Sequence, residues 1–114
     1  MEFHKAILHG RRDLRIDTEI FDRPLASNEI RVQTLTTALS TGTDLGNYLG
    51  DSKYVPGAPD YPRPVGYSNV GRVVETGGDG IGFRAGDIVF STQPHRSGFI
   101  ATERNLLVSV PKGL

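Results

Sequence analysis

The stretch from Val70 to Ser91 decides the fold, and its sequence is VGRVVETGGDGIGFRAGDIVFS. Val70–Thr76 is rich in β-branched residues, which predicts a strand. The glycine-rich tetrapeptide at 77–80 predicts a turn, and Asp87–Ser91 predicts another short strand. Short strands separated by glycine-rich turns are typical of an all-β protein.

The same organisation extends outward along the chain. Fourteen glycines and seven prolines are spread over 114 residues, where they separate short apolar or alternating runs. Glu29–Leu35 alternates with period two, the pattern of a half-buried strand. About seven short strands without a long helix predict a mainly β protein that forms a closed or nearly closed barrel. The remaining predicted elements are strands at Lys5–Leu8, Leu14–Ile20, Phe99–Thr102 and Leu106–Val110, a turn at Pro24–Asn28, a short helix capped by Thr43 or Asp44 and ended by Gly50, and a proline-rich loop at Asp51–Arg63.

The composition of the chain limits the classes of function that it can have. The length suits one domain with its own core, and 13 basic residues balance 13 acidic ones, so no nucleic-acid or anionic-membrane footprint is indicated. The absence of cysteine excludes disulfides, cysteine-type zinc sites and thiol nucleophiles. With no signal peptide after Met1 and no apolar run of about 20 residues, we expect a cytoplasmic protein.

The glycine-rich run at 80–85 and the histidines each allow a structural and a functional interpretation. Residues 80–85 match the loose dinucleotide pattern G-x-G-x-x-A, but a strand follows where that pattern needs a helix, so a connecting turn is predicted. His4 and His9 flank the first predicted strand without metal-ligand spacing. His95 lies in a polar loop beside Arg96, where it is either a solvated side chain or a proton donor.

The run from Ala38 to Gly50, ALSTGTDLGNYLG, places several hydroxyls beside Asp44. A Ser/His/Asp triad with His95 is conceivable, but the G-x-S-x-G elbow of many hydrolases is missing. Asp44 also has a local role as a candidate helix cap. The run therefore marks a candidate site without defining its chemistry.

Taken in order, these motifs resemble the N-terminal GroES-like domain of the medium-chain dehydrogenase/reductase superfamily. The resemblance extends from His4 to Leu114 and rests on Glu29–Val32, Gly42–Leu45 with Tyr48 and Gly50, Pro64–Ser68, Gly71–Gly77, Gly82–Val89 and Leu106–Leu114. It implies a partly open β-barrel with one short helix at 1–114. A Rossmann domain that binds NAD or NADP is expected after residue 114.

The resemblance also implies that the catalytic zinc of the family is lost. Thr41 and Tyr67 stand at the zinc-ligand positions, Ser68 replaces the neighbouring glutamate and Gly46 the relay histidine. A neutral hydroxyl and a phenol are poor zinc ligands. The connection between Val89 and Phe99 is also too short for the structural-zinc lobe.

A zinc-independent NAD(P)-dependent oxidoreductase is thus expected, in which this domain faces a carbonyl, alcohol, enone or quinone substrate. Hydroxyl donors would stabilise the reacting oxygen. The implied catalytic residues are Thr43, Tyr67 and His95, and the implied cleft residues are Thr41, Gly42, Asp44, Tyr48 and Ser68. A homodimer is the expected assembly of the full-length protein. The alternative is a free-standing structural or interaction module, because fold alone does not settle function.

Overall fold

The computed structural model describes residues 1–50 and 60–113, which form a mainly β structure in which the sheets do not close on themselves. The predicted fold class, a partly open barrel with one short helix, is confirmed. The elements in chain order are β1 (Glu2–Gly10), β2 (Asp13–Ile20), β3 (Ile30–Thr37), α1 (Thr41–Leu49), β4 (Arg63–Pro64), β5 (Asn69–Thr76), β6 (Ile88–Ser91), β7 (Gly98–Ala101) and β8 (Leu107–Ser109).

The strands form two antiparallel sheets. One has the order β2-β1-β4 and the other the order β7-β3-β5-β6-β8. Residues 95–97, between β6 and β7, join the sheets. His95 accepts a backbone hydrogen bond from Ala6 of β1 (3.0 Å), and Ser97 donates one to His4 (2.7 Å) and accepts one from Thr34 of β3 (2.9 Å). This segment therefore completes the barrel wall on one side.

The core lies under the larger sheet, where alternate residues of its strands point inward. Ile30 and Val32 of β3 have no exposed area, as the period of two predicts. Leu35 is 47% exposed: by the same alternation it lies on the face of Arg31 and Gln33, and it is the residue passed over where the pairing of β3 with β5 shifts between Thr34 and Thr36. Such a bulge moves the following side chains to the other face. The full cluster is Ile30, Val32, Val73, Val89, Phe99 and Ala101.

The glycine motif at 80–85 is a turn, as predicted. Gly80–Gly82 forms one 3₁₀ turn whose Ile81 backbone N–H donates to the Asp79 side chain (3.0 Å), and β6 begins at Ile88. A three-residue turn offers no helix N-terminus on which a pyrophosphate could sit.

Helix α1 begins earlier than predicted. Ser40, not Thr43 or Asp44, holds the N-cap position, and its side chain makes no capping bond. The Asp44 carboxylate instead reaches back from the first turn and accepts the Ser40 backbone N–H at Oδ2 (3.0 Å). Gly50 ends the helix in the left-handed conformation (φ 71°), as predicted.

Three smaller differences concern strand boundaries. β1 is longer than predicted, so His4 and His9 lie within it and do not flank it. The two-residue strand β4, which pairs with Ile7 and Leu8, was not predicted. The predicted loop at 51–63 lies mostly outside the described residues. No helix in the described part of the chain is long and apolar enough to cross a membrane.

Candidate functional site

Helix α1 presents two different faces. At 3.6 residues per turn, successive side chains are about 100° apart, so Asp44, Leu45 and Tyr48 share one face. Thr43 projects about 100° away from Asp44, toward the side of the buried residues Gly46 and Asn47. The helix thus separates the predicted catalytic hydroxyl of Thr43 from the carboxylate of Asp44.

The carboxylate of Asp44 pairs with the imidazole of His95. Nε2 of His95 lies 3.0 Å from Oδ2 of Asp44, and the two side chains are only 16% and 9% exposed. Arg96, the neighbour of His95 in the sequence, does not join this pair: its guanidinium contacts Glu19 (3.0 Å) and the carbonyl of Gly98 (2.6 Å). Sequence neighbours along an extended segment point to opposite sides.

His95 is fixed from four directions. Its backbone N–H donates to the carbonyl of Val65 (2.8 Å), and its own carbonyl accepts from Ala6 (3.0 Å). The second ring nitrogen, Nδ1, lies 2.8 Å from Oγ1 of Thr37. With both ring nitrogens engaged, the imidazole has one orientation.

The imidazole of His95 lies between the Thr37 hydroxyl and the Asp44 carboxylate, and this arrangement determines which group donates in each hydrogen bond. In the neutral tautomer that satisfies both contacts, the Thr37 hydroxyl donates to Nδ1, and Nε2–H donates to Asp44. When the ring is protonated, Nδ1–H donates to Thr37 instead. The hydroxyl in this chain of contacts is Thr37, not the Ser40 considered for a triad.

Asp44 has one satisfied and one unsatisfied oxygen. Oδ2 accepts both the Ser40 backbone N–H and His95 Nε2–H. Oδ1 is buried and has no hydrogen-bond partner in the described structure. A buried acceptor without a partner loses its hydration without compensation, so Oδ1 is the unusual atom of this site.

A pocket of about 350 Å³ adjoins the Asp44–His95 pair. Its wall is mostly aliphatic, and the facing residues Leu8 of β1 and Leu14 of β2 form a cross-strand pair within it. The pocket is lined by Ala6, Leu8, Leu14, Leu39, Ser40, Asp44, Leu45, Tyr48, Val65 and His95. Of the residues predicted from sequence, the structure therefore brings Asp44, Tyr48 and His95 together.

The other predicted site residues lie outside this pocket. Thr41 and Gly42 are exposed at the start of α1, and Thr43 is half-buried on the side of Gly46 and Asn47. Tyr67 is 49% exposed, and Ser68 is half-buried with its carbonyl accepting the Ala38 backbone N–H (3.1 Å). The roles assigned to these residues remain predictions.

The residues at the family's zinc positions do not fit zinc. The groups available there are the hydroxyl of Thr41 and the phenol of Tyr67, both on exposed residues and both poor ligands when neutral. The nearby imidazole of His95 has both nitrogens engaged by Asp44 and Thr37. No step of a mechanism is therefore assigned to a metal.

Two participants were missed from the sequence. Thr37 ends β3 and looks like any other strand threonine, and only the fold brings it to a residue 58 positions away. Gly66 has φ 94°, and a Cβ atom there would lie 2.6 Å from the His95 ring. A glycine within a proline-flanked segment signals backbone freedom, but not that an imidazole uses the space.

The ion pairs outside the site are structural. The pKa of Glu29 is lowered from 4.5 to about 2. The main cause is the bidentate Arg23 guanidinium (2.6 and 2.8 Å), and the hydrogen bond from the Ala26 backbone N–H adds to it. The pKa of Glu19 is also lowered, first by its hydrogen bond to Lys5 and then by Arg96. These pairs fix strand connections and do not line the pocket.

Comparisons with known proteins support the fold. No family model and no curated protein matches the chain. Solved structures match over nearly its whole length, at about one-fifth sequence identity. The CurF ER cyclopropanase from the curacin A biosynthetic pathway superposes with a TM-score of 0.76 at 20% identity, over 98% of this chain and 36% of that one.

Two further solved structures match the chain with similar sequence identity and coverage. The human synaptic vesicle membrane protein VAT-1 homolog-like protein gives a TM-score of 0.74 at 19% identity, over 100% of this chain and 37% of that one. A putative NADPH:quinone reductase from Bacillus thuringiensis gives 0.72 at 21% identity, over 100% and 35%. The chain thus spans little more than a third of these proteins. The predicted resemblance is confirmed in fold, since these neighbours are medium-chain dehydrogenase/reductase members and the match corresponds to their N-terminal GroES-like domain.

Proposed function

We propose that this chain is the substrate-side domain of a zinc-independent, NAD(P)-dependent oxidoreductase that acts on a carbonyl, alcohol, enone or quinone. One observation carries the proposal: the chain superposes over 100% of its length on a quinone oxidoreductase and over 97% on an enoyl thioester reductase. The sequence resemblance implies that Thr41 and Tyr67 stand at the zinc-ligand positions. The similar structures include a quinone oxidoreductase from Coxiella burnetii, an enoyl thioester reductase from Candida tropicalis and a 2R,3R-butanediol dehydrogenase from Bacillus subtilis. The cofactor-binding domain would follow residue 114, and the full-length protein would be a homodimer.

The nicotinamide, when bound, supplies or accepts the hydride. The residues of this chain would orient the substrate and stabilise negative charge on its oxygen, a task that hydroxyl groups can perform without a metal. Thr43 is the first candidate for that hydrogen bond, with Tyr67 and Tyr48 next. His95 would hold a proton for the product, in contact with Asp44 and Thr37.

Metal content and sequence beyond residue 114 test the proposal. We expect a following βαβ unit that contains G-x-G-x-x-G, NADPH-dependent reduction of a quinone or an enone, and no tightly bound zinc by elemental analysis. A stoichiometric zinc would contradict the metal-free reaction. A stop codon after Leu114 would instead favour the non-catalytic module. Micromolar NADPH binding by residues 1–114 alone would contradict the proposal that a second domain binds the cofactor.

Substitution of Thr43 tests the role of its hydroxyl. In the full-length enzyme, we expect Thr43→Ala to lower kcat by about 10²–10³, the usual effect of removing an oxyanion donor. Thr43→Ser keeps the hydroxyl and should retain most of the activity. Thr41→Ala is the matched control, since it removes a neighbouring exposed hydroxyl. Equal losses in T41A and T43A would show that the effect is not specific to Thr43.

A further inference from the structure

Strand β2 forms a regular, open edge of the smaller sheet. Within the described chain it pairs with β1 alone, and the register is uninterrupted from the pair Glu2 and Ile20 to the pair Leu8 and Leu14. An exposed edge of this length offers its free backbone groups to any strand that can lie alongside it. We propose that two copies of this chain associate by pairing their β2 strands antiparallel, with Ile16 of one copy opposite Ile16 of the other.

The hydrogen bonds of β1 show which backbone groups of β2 face outward. Phe21 donates its N–H to the carbonyl of Met1 (3.0 Å) at the end of the ladder between β1 and β2. Hydrogen-bonded pairs alternate along an antiparallel ladder, so the odd-numbered residues from 15 to 19 bond to β1. On the other side of β1, the Ala6 N–H donates to the His95 carbonyl (3.0 Å), as this alternation requires. The outward-facing N–H and C=O groups therefore belong to Leu14, Ile16, Thr18 and Ile20.

The outward-facing residues of β2 are mostly apolar. Leu14, Ile16 and Ile20 are 50%, 68% and 61% exposed. A second β2 strand alongside the first would bring Ile16 against Ile16, and Leu14 against Thr18 of the other copy. Cross-strand contacts of apolar and β-branched side chains stabilise a sheet and remove apolar area from water. These residues therefore favour a partner strand of the same composition.

The charges of β2 select one register for the pairing. Because only even-numbered residues have outward-facing backbone groups, the two-fold axis must pass through a residue and not between two residues. With the axis at Ile16, Arg15 of each copy faces Asp17 of the other, which gives two cross-strand ion pairs. An axis at Arg15 would oppose two arginines, and an axis at Asp17 would oppose two aspartates. An axis nearer either end of β2 would leave a shorter overlap.

The end pairs are compatible with this register. Asp13 faces Glu19 of the other copy, but Glu19 already contacts two cations of its own copy, Lys5 (2.9 Å) and Arg96 (3.0 Å). One carboxylate between two cations leaves a net positive charge, which attracts Asp13. Arg15 can keep its own contact with Asp13 (2.9 Å) in the dimer, because a guanidinium has five N–H groups.

The same register satisfies the free backbone groups. Ile16 pairs with Ile16, and Leu14 of each copy pairs with Thr18 of the other, so about six backbone hydrogen bonds form across the interface. The two three-stranded sheets become one continuous sheet. The interface gives a surface to the homodimer proposed above. It does not rest on the proposed redox activity, since strand pairing needs neither cofactor nor substrate.

Two single-cysteine variants test the register, because the chain has no cysteine of its own. Ile16→Cys places the two thiols at the two-fold axis, where the Cα atoms would be about 5.5 Å apart, a separation that a disulfide accepts. Thr18→Cys is the matched control: it is also outward-facing, but it would lie about 14 Å from its symmetry mate. In mildly oxidising buffer, I16C should form a covalent dimer at least about tenfold faster than T18C. Equal rates would overturn the proposal.

A pair of charge reversals tests the ion pairs. Arg15→Asp opposes acids in both pairs and Asp17→Arg opposes cations in both, so each variant alone should dimerise roughly tenfold more weakly than the wild type. Mixed in equal amounts, R15D and D17R restore two opposite-charge pairs and should associate nearly as the wild type does. Glu75→Arg, on β5, is the charge-matched control and should leave the association unchanged.

Sedimentation equilibrium from about 10 µM to about 1 mM measures these association constants. A wild-type chain that stays monomeric over this range would overturn the proposal, as would a mixture of R15D and D17R that associates no better than its components. Amide exchange of the wild type gives a readout that needs no variant. The amides of Leu14, Ile16 and Thr18 should exchange more slowly as concentration rises, whereas those of Arg15 and Asp17, already bonded to β1, should not change. A uniform change along β2, or none, would overturn the proposal.

Discussion

Gly66 gives the His95 imidazole its place in the structure. The glycine has φ 94°, and the imidazole ring occupies the volume that a side chain would need, with ring atoms 2.6 to 2.8 Å from the position of a Cβ atom. Any residue other than glycine is therefore disfavoured at position 66 for two reasons: the backbone conformation is strained for a residue with a Cβ atom, and that atom would clash with the imidazole ring.

A pair of glycine substitutions separates these two effects. Gly66→Ala and Gly82→Ala both introduce a side chain at nearly the same φ, 94° and 90°, but Gly82 has nothing within 4 Å of the added Cβ. G82A should cost about 1–3 kcal/mol of unfolding free energy from strain alone. G66A should cost about 1–3 kcal/mol more, because a displaced His95 leaves buried Asp44 without its donor.

Urea unfolding measures the difference between these variants, and the ring resonances of His95 report its orientation. Equal destabilisation by G66A and G82A, with His95 shifts unchanged, would mean that the imidazole does not depend on Gly66.

Single residues also show what sequence can tell about a site. Asp44, Tyr48 and His95 were all chosen from the sequence because chemistry-bearing side chains stand out in a loop or at a helix start. Their pairing was not predicted, since it depends on a bulged strand and on a loop that crosses to β1. Thr37 carries no signal in sequence, because its hydroxyl matters only through the ring that lies against it.

At the scale of elements, the connection between β2 and β3 depends on one buried acid. Glu29 accepts two hydrogen bonds from Arg23 and one from the Ala26 backbone, and its own backbone carbonyl accepts the Gly77 N–H (2.8 Å). A single residue therefore closes the turn and ties it to the end of β5. Predicting a turn at Pro24–Asn28 required only its composition, whereas the acid that holds it follows the turn and looks like the start of a strand.

The pH dependence of stability should show this carboxylate. Its pKa is lowered from 4.5 to about 2 in the native state, so the ionised form stabilises the fold above pH 4.5. That contribution is lost as the pH falls from about 4.5 toward 2, because the native state then gains a proton later than the unfolded chain. Glu29→Gln should be destabilised relative to wild type at pH 6, with the difference disappearing near pH 2.

Denaturant titrations of wild type and E29Q between pH 2 and 7 measure this effect. Glu75→Gln is the control, because Glu75 is 49% exposed and contacts Arg31 at a longer distance of 3.6 Å, and exposed pairs contribute little. A difference between wild type and E29Q that stays constant down to pH 2 would contradict the assignment.

Elements were the most predictable level of the structure. Alternating and β-branched runs located the long strands, since a half-buried strand needs period two. Gly50 located the end of α1, because its left-handed conformation favours glycine. The start of α1 was missed because Asp44, four residues into the run, accepts the Ser40 N–H from inside the helix and does not occupy the cap position itself. The strand β4 was missed because Arg63–Pro64 depends on β1, a partner remote in sequence.

At the scale of the whole molecule, residues 95–97 join the two sheets. Ser97 contributes most to the joint: its N–H donates to the His4 carbonyl (2.7 Å), and its Oγ accepts the His4 N–H (2.8 Å). The general architecture was predictable from short strands and the order of motifs. The joint was not predictable, because a segment predicted as a polar loop pairs with β1 as though it were a strand.

Proline at position 97 should loosen this joint. Ser97→Pro removes both the backbone donor and the hydroxyl, and we expect a loss of about 1–3 kcal/mol. Ser97→Ala removes the hydroxyl alone and should cost about 0.5–1.5 kcal/mol. Hydrogen exchange measures where the loss occurs: the amides of His4 and Ala6 should exchange faster in S97P, while the amides of Val32 and Val73 keep their protection. Uniformly faster exchange throughout the chain would contradict a local joint.

The joint also dictates when the pocket comes into existence. His4 and Ser97 are 93 positions apart in sequence, so the chain must close a very large loop before β1 and the segment that carries His95 can meet, and such closures are slow. During synthesis, almost the entire chain must emerge before Asp44 finds its imidazole. We therefore expect the contact between Asp44 and His95 to report completed folding: it should form in the final kinetic phase and be lost in the first stage of unfolding, when the joint at His4 and Ser97 opens.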